Sequence, residues 1–343
     1  MNENFGEQYD SSGKKYHCIV VTQHGGPEVL QMVEADLPEP QPGEVRVKIL
    51  AAGISAYDLM FRRSRSLPGT PRVPFTLGED VVGVVDKLGE GVSTLEPGQT
   101  VAGATFSLGV GGGYAEYVCL PASEWVPAPS EVDPAEAVCL VVNYLTAHTA
   151  MHRTANVQRG ERILVHGAAG GVGTALLELG KLAKLEMYGT ASKYNHELVS
   201  ALGATPIDYH TEDFVERIRS LTGDGVDAVF DPIGGARQLW RSYRALRKGG
   251  RLAWFGVAAT KKKGLRVIPF TLLMRTLLAA FPDGKRVPLA PDLSKDNAWY
   301  RETLAELLDL LAAGQIKPVV AARFPLAEAA RAHELLERGG YAG

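Results

Sequence analysis

Residues 163–173 read ILVHGAAGGVG, and residues 174–184 continue as TALLELGKLAK. A short apolar run enters a cluster of glycines, and apolar residues then recur at helical spacing. That order predicts strand, tight turn and helix. Such a turn places backbone N–H groups and a helix N-terminus where a phosphate can sit. Glycines fall at 167, 170, 171 and 173. The strict pattern G-x-G-x-x-G, aligned on Gly170 and Gly173, needs its first glycine at 168, where the chain has Ala168. Gly170 still lets the backbone approach a pyrophosphate, and Gly173 still lets the helix pack close to the strand. Gly171 and Val172 complete the predicted cradle. Read alone, the stretch also fits a glycine-rich turn in another kind of α/β protein, so its surroundings decide.

Before it, from about Tyr16 to Val126, runs such as HCIVVTQ, EVRVKILAAGI, VVGVVDKLG and GGYAEYVCL alternate with Pro and Gly clusters, which predicts β-structure. From about Glu131 the period changes, and DPAEAVCLVVNYLTAHTAMHRTA predicts a helix with an early proline. After the glycines, strand-like and helix-like segments alternate as far as RLAWFGVAA, the pattern of a doubly wound parallel sheet. In the tail, WYRETLAELLDLLAAG and LAEAARAHELLERG predict amphipathic helices, with PVVAARFP between them as a strand.

The 343 residues suggest about two domains. With 45% hydrophobic and 22% charged residues the balance is that of a globular enzyme, and a net charge of −3 points away from nucleic acid and anionic membranes. The basic run Lys261–Lys263 reads as a solvated loop, or else as an aid to phosphate binding. Nothing in the sequence approaches a membrane span or a secretory signal, and residues 1–15 read as a disordered extension. Three scattered cysteines, Cys18, Cys119 and Cys139, supply neither a disulfide framework nor a Cys-rich zinc site; they read as buried apolar groups in a cytoplasmic protein.

The segments VTQHGGPEVLQ, LPEPQPGEVRVKILAAGIS, TLGEDVVGVVDKLGEGV, NYLTAHTAM, HGAAGGVGTALLELGK, GTASKYNHELVSALGATPIDY, GVDAVFDPIGG and IKPVVAARFPLAEAARAHELLERGG together resemble the medium-chain dehydrogenase/reductase superfamily. The zinc-free quinone oxidoreductase branch, with the vesicle amine transport protein homologues, is the nearer match. The resemblance implies a GroES-like β-barrel catalytic domain over residues 16–130 and a Rossmann NADP-binding domain over 131–272. Residues 273–343 would return to the catalytic domain, and substrate would bind in the cleft. Two departures stand out: the chain stops at RGGYAG, where relatives continue into a short strand, and Ser55 stands where relatives often carry Asn.

Zinc-dependent members place metal ligands at positions matching Ser55, Glu79 and Val142. A catalytic zinc needs about three protein ligands; serine is a poor one and valine is none, so no metal is expected. Glu79 and Asp80 then read as acidic turn residues near the cleft.

For the cofactor, an NAD site usually carries an acid at the end of the second strand. Here that strand runs into Ser192 and Lys193, which would accept a 2′-phosphate instead. Tyr209 matches a family position touching that phosphate. NADPH is therefore the expected cofactor, although Lys193 also fits an ordinary surface lysine and Tyr209 a packed aromatic. Asn143 and Thr146 match positions near the nicotinamide, with helix capping and helix packing as their other readings. Asp231 and Gly234, and Phe255, Gly256 and Val257, follow two later strands and are expected to line the cofactor.

The resemblance implies hydride transfer to a quinone or an α,β-unsaturated carbonyl compound, with Ser55 and Tyr57 as catalytic hydrogen-bond donors. Tyr57 reads equally as a packed aromatic, and Asp58 as a helix-start residue. An enoyl-thioester reductase and a non-catalytic NADPH-binding scaffold are the alternatives. A homodimer is expected through an apolar edge around Leu265–Leu273.

Overall fold

The computed structural model describes residues 13–64, 70–105, 108–109, 111–256, 258, 266–291, 296–339 and 342–343. Val257, Lys261–Lys263, Leu265 and residues 1–12 lie outside them.

The N-terminal third forms β1 (Lys15–Val21), β2 (Leu30–Asp36), β3 (Glu44–Ala52), β4 (Asp80–Leu88), β5 (Thr100–Ala104), β6 (Tyr117–Pro121) and β7 (Trp125–Pro127), with helix α1 (Ala56–Arg63) after β3. β1 pairs antiparallel with β2, and the other five form an antiparallel sheet in the order β6-β3-β4-β5-β7. Val45, Val47, Val81, Val85, Val101, Val118, Leu120 and Trp125 fill the inside of this barrel-like layer. Lys15, expected at the end of the N-terminal extension, is the first residue of β1.

A long helix then crosses the molecule. It comprises α2 (Pro134–Cys139), a π-helical turn at Leu140–Tyr144, α3 (Leu145–His148) and a second π-helical turn at Thr149–Ala155. Asp133 caps it by accepting from the N–H groups of Ala135 and Glu136, and Pro134 takes the first position, where no N–H is needed.

A parallel sheet follows: β8 (Arg162–His166), α4 (Gly171–Leu182), β9 (Glu186–Ala191), α5 (His196–Ala201), β10 (Ala204–Asp208), α6 (Phe214–Thr222), β11 (Val226–Asp231), α7 (Ala236–Ala245) and β12 (Leu246–Trp254). The strand order is β10-β9-β8-β11-β12. β8 and β11 are almost wholly buried, as strands covered on both faces must be. The chain leaves β8 toward one side and β11 toward the other, so the crevice at their carboxyl ends is a topological switch point.

Helices α8 (Val267–Ala279), α9 (Asn297–Ala312) and α10 (Ala329–Arg338) complete the chain. One core joins barrel residues Val82 and Ala104, the crossing helix through Val141, Tyr144 and Met151, the parallel sheet, and α9 through Leu304 and Leu308. The crossing helix is therefore the wall against which both sheets are built.

Three expectations are corrected. PVVAARFP lies between helices without strand pairing among the described residues; Pro318 and Pro325 each lack the N–H a ladder requires. The apolar segment expected as a pairing edge is helix α8 from Val267 onward. Cys18 alone of the cysteines is fully buried; Cys119 and Cys139 are half-buried.

Candidate functional site

The glycine turn sits at the carboxyl end of β8, in the middle of the sheet. Gly167 adopts φ +64°, a conformation costly for other residues, and so makes the tight turn one position before the strict pattern places it. Gly170 follows as the N-cap of α4, exposed and without a side-chain cap. The first N–H groups of α4 are thus left for a ligand. Gly173 serves packing: a Cβ there would lie 2.8 Å from both C and Cα of Ala168. Gly171 faces the crossing helix, where a Cβ would lie 2.8 Å from Cγ of Asn143. Asn143 is therefore held beside the cradle, from the π-helical turn, and is not a cap. Val172 is half-buried and packs on the central core.

The second strand ends beside the third. Ala191 of β9 pairs with Asp208 of β10, so Ser192 and Tyr209 emerge side by side. Ser192 makes no cap bond to the turn that follows it, Lys193 is exposed, and Tyr209 is 53% exposed against His210. Serine, lysine and tyrosine thus follow two neighbouring strand ends, and no acid follows β9.

Beyond β8, the two later loops pack on each other. Asp231 is fully buried; its Oδ1 accepts from the N–H groups of Ile233 (2.8 Å) and Gly234 (3.0 Å), and its Oδ2 accepts from the Ser242 hydroxyl (2.7 Å). Asp231 thus shapes the loop that follows β11. Gly234 takes φ +70° and lies against Gly256, whose carbonyl accepts from the Trp254 indole. Phe255 and Thr146 share the lining of a cavity of about 170 Å³ with Thr149, Ala150, Thr154, Ala253, Ala290 and Pro291. A wider hollow of about 360 Å³ lies away from the crevice, among Arg159, Arg162, Asp224, Asp227 and Arg247. Arg162 is paired with Asp224 there, and Arg247 with Asp227.

A buried chain that the sequence did not disclose braces these loops. His166 accepts at Nδ1 from the Thr190 hydroxyl (3.0 Å) and donates from Nε2 to Ser242 (3.1 Å), and Ser242 donates to Asp231. Thr190 in turn accepts from the N–H of Gly167 (3.3 Å). Burial holds His166 below its usual pKa, so the ring is neutral and this single tautomer satisfies every partner.

On the barrel side, Ser55 is the N-cap of α1. Its Oγ accepts from the N–H of Tyr57 (3.1 Å) and of Asp58 (3.4 Å), while Asp58 Oδ2 accepts from the N–H of Ser55 (2.6 Å). This capping box fixes the first turn of α1. Asp58 Oδ1 also accepts from the N–H of Gly78 (3.1 Å), tying α1 to the segment before β4. Tyr57, next on the helix, is 45% exposed and stacks on Phe61. Its phenol is pushed up by burial of its surroundings and by the nearby Glu79.

The inner end of α1 holds a second buried network. Arg62 is fully buried and bonded to Nδ1 of His333 (3.1 Å) and to Glu337, both on α10. Nε2 of His333 meets the Tyr114 hydroxyl at 3.0 Å. Burial and the Arg62 charge push His333 down to about 3.

The positions matching zinc ligands do not form a donor set. Ser55 is committed to its cap, Val142 has no donor atom, and only Glu79 remains. Among the described residues no group of three His, Cys, Asp or Glu side chains could hold a metal.

Residues 41–130 match the alcohol dehydrogenase GroES-like domain and residues 202–343 the zinc-binding dehydrogenase family. Quinone oxidoreductase from Rattus norvegicus is 31% identical over 325 residues, 94% of this chain and 94% of that protein. The chain belongs to the medium-chain dehydrogenase/reductase superfamily. Within that superfamily, synaptic vesicle membrane protein VAT-1 homolog from Rattus norvegicus is 37% identical over 245 residues, 70% of this chain and 59% of that protein; the chain thus spans only about three-fifths of the VAT-1 homologs it matches. The structure of Escherichia coli quinone oxidoreductase complexed with NADPH superposes with a TM-score of 0.82 at 29% identity, covering 94% of this chain and 96% of the other. Zinc appears in the description of one family model. No helix among its described residues is long and apolar enough to cross a membrane.

Proposed function

We propose that this chain is an NADPH-dependent, zinc-independent reductase of quinones or α,β-unsaturated carbonyl compounds, working in the cytoplasm. The observation that carries the reading is the end of β9. Ser192 and Lys193 follow β9 there, beside Tyr209 at the end of β10, and no acid follows Ala191, one strand away from an open glycine cradle. That set fits the 2′-phosphate and pyrophosphate of NADPH. Asn143, beside Gly171, and Thr146 and Phe255, which share one cavity, are the residues this reading assigns to the nicotinamide end, with Gly256 next to Phe255.

The bound cofactor supplies a hydride. The chain supplies placement and hydrogen-bond donors for the oxygen on which negative charge develops. Tyr57 is the exposed donor on the barrel side, and Ser55 serves by holding the turn that carries it. An alcohol substrate would need its proton drawn off by a fixed positive charge, which neither residue has, whereas an activated alkene or quinone is already electrophilic. NADPH oxidation measured against quinones, enones and enoyl thioesters, with NADH as control, tests the proposal. Consumption of NADPH with a quinone or enone is expected. Tight NADPH binding with no acceptor turned over, or efficient oxidation of primary alcohols, would overturn it.

A further inference from the structure

Where the second half of the crossing helix packs on β12, its face is built from small residues. Thr146, Thr149, Ala150 and Thr154 recur there at helical spacing, with Ala253 of β12 and Phe255 just beyond it across a cavity of about 170 Å³. Ala290 and Pro291 close the far side. They continue a strap that runs beside β12. Arg286 donates its N–H to the Gly250 carbonyl (2.9 Å) and accepts from the N–H of Leu252 (2.9 Å), and the Val287 carbonyl accepts from Arg275 of α8 (3.1 Å). Val287 is buried, whereas Ala290 is exposed. The strap is therefore pinned at its start and forms the outer wall of the cavity three residues later.

Size, charge and one hydroxyl together describe what the cavity takes. A cavity of about 150 Å³ accommodates benzene, so this one has room for a single six-membered ring and a substituent of one or two atoms. None of its lining side chains is ionisable. A charged ligand would lose its hydration and gain no partner, so the ligand is neutral. The threonines differ in what they offer. Thr149 donates its hydroxyl to the Leu145 carbonyl (2.7 Å), the usual way a helix satisfies a buried threonine. Thr154 is buried in the second π-helical turn, and its hydroxyl has no hydrogen-bond partner among the described residues. An enclosed hydroxyl left unpaired is unfavourable. Threonine uses two χ1 rotamers in helices, and a turn about that bond exchanges methyl for hydroxyl at the cavity wall.

We propose that this cavity is a binding site for a small neutral ring compound carrying one hydroxyl or carbonyl group, whose oxygen pairs with the Thr154 hydroxyl. The ring lies among the methyl groups of Ala150, Ala253 and the threonines, with Phe255 at one end. Thr154 is the specificity-determining residue, because it is the side chain there with hydrogen-bonding capacity still to be met. The hydroxyl can donate to a carbonyl or accept from a phenol, so either oxygen function satisfies it. The inference stands apart from the reductase reading. It uses neither the cofactor nor any step of catalysis, and binding is expected whether or not a quinone is turned over.

The test titrates the full chain, free of cofactor, with phenol and separately with benzene, followed by ligand-observed NMR. Saturable binding of phenol to one site is expected. Thr154→Val, which replaces the hydroxyl by a methyl of nearly the same size, should weaken phenol about threefold to tenfold, the worth of one neutral hydrogen bond, and leave benzene bound no more weakly than before. A variant that had merely disturbed the cavity would lose both ligands alike. Ala150→Leu, which fills the space, should abolish saturable binding of both. Should Ala150→Leu not fold, Ala290→Leu on the exposed wall carries the same expectation. No saturable phenol binding to the wild type overturns the inference. So does phenol binding that survives the filling variant, or a Thr154→Val protein in which phenol and benzene affinities are both unchanged or fall together.

Discussion

The glycines of the turn do different jobs, and two single-methyl substitutions should separate them. In Gly173→Ala the new Cβ would stand 2.8 Å from two backbone atoms of Ala168 and closer still to the carbonyl of Gly167. Carbon atoms rest at about 3.5–4.0 Å, so α4 must back away from the strand by roughly 0.7 Å or more. Overpacking of this kind costs about 1–3 kcal/mol, and a rigid backbone partner puts this site at the upper end. Replacing glycine by alanine within a helix returns about 1 kcal/mol. The net loss is about 2 kcal/mol, a fall in Tm of roughly 4 °C for a chain of this size. In Gly170→Ala the nearest atom to the new Cβ is the Gly167 carbonyl oxygen at 3.5 Å, ordinary contact, and φ is −84°. The weaker N-cap and the less flexible unfolded chain nearly offset one another, so stability should hold within about 1 kcal/mol. The methyl instead occupies the open end of α4, and NADPH affinity should fall at least about tenfold, roughly 1.4 kcal/mol. Thermal melts of the cofactor-free proteins and calorimetric titration with NADPH read both effects. A Gly173→Ala protein as stable as wild type refutes the packing argument. A Gly170→Ala protein that binds NADPH normally refutes the position of the pyrophosphate.

Lys193→Ala should weaken NADPH by roughly 1–2 kcal/mol and leave NADH almost unchanged, as removal of a charged hydrogen-bond donor from a phosphate does; equal losses for both cofactors in titration calorimetry would count against the assignment. Tyr57→Phe should lower kcat about tenfold to a hundredfold at unchanged NADPH affinity, and unaltered steady-state turnover would remove the phenol from the reaction. The exposed apolar face of α8, with Phe270, Leu273 and Leu277, fits a homodimer contact; light scattering should give twice the chain mass, and Leu273→Glu should reduce it to the monomer. His333, pushed down to about 3 against an ordinary value of 6.5, binds fewer protons folded than unfolded between those limits. Its contribution to stability is therefore present above pH 6.5 and is lost as pH falls from there toward 3. His333→Gln should melt lower at pH 7 and show a shallower decline between pH 6.5 and 4.5.

Where local pattern carries the information, the sequence was readable. β8, the glycine turn and α4 are contiguous and periodic, and the absence of an acid after β9 can be seen directly. What failed was direction and distance. Asp231 lies at a strand end as expected, but sequence position does not say whether a carboxylate faces the crevice or folds back on its own loop. Helix α8 is apolar on most of its surface, so its period was hidden and a strand edge seemed equally good. The π-helical turns that aim Asn143 at Gly171 leave no compositional mark. Arg62 and His333 are separated by 271 positions, beyond the reach of any local pattern.

That separation bears on how the chain comes to be folded during synthesis. Arg62 is completely enclosed, and an enclosed guanidinium without its partners is strongly destabilising. Its side-chain partners are at positions 333 and 337, with only the Gly25 carbonyl supplied earlier, and the 271 residues between Arg62 and His333 take roughly 14–54 s to translate at about 5–20 residues per second. The barrel strands, though made first, have to wait in an open form with Arg62 in water, while the parallel sheet between them has all its strands in hand by residue 254. We expect ribosome-stalled chains ending before residue 329 to protect the parallel sheet from protease and leave residues 15–127 open to cleavage, with protection of the first segment appearing only when α10 has emerged. The last helix to be made is thus the latch on the first domain begun.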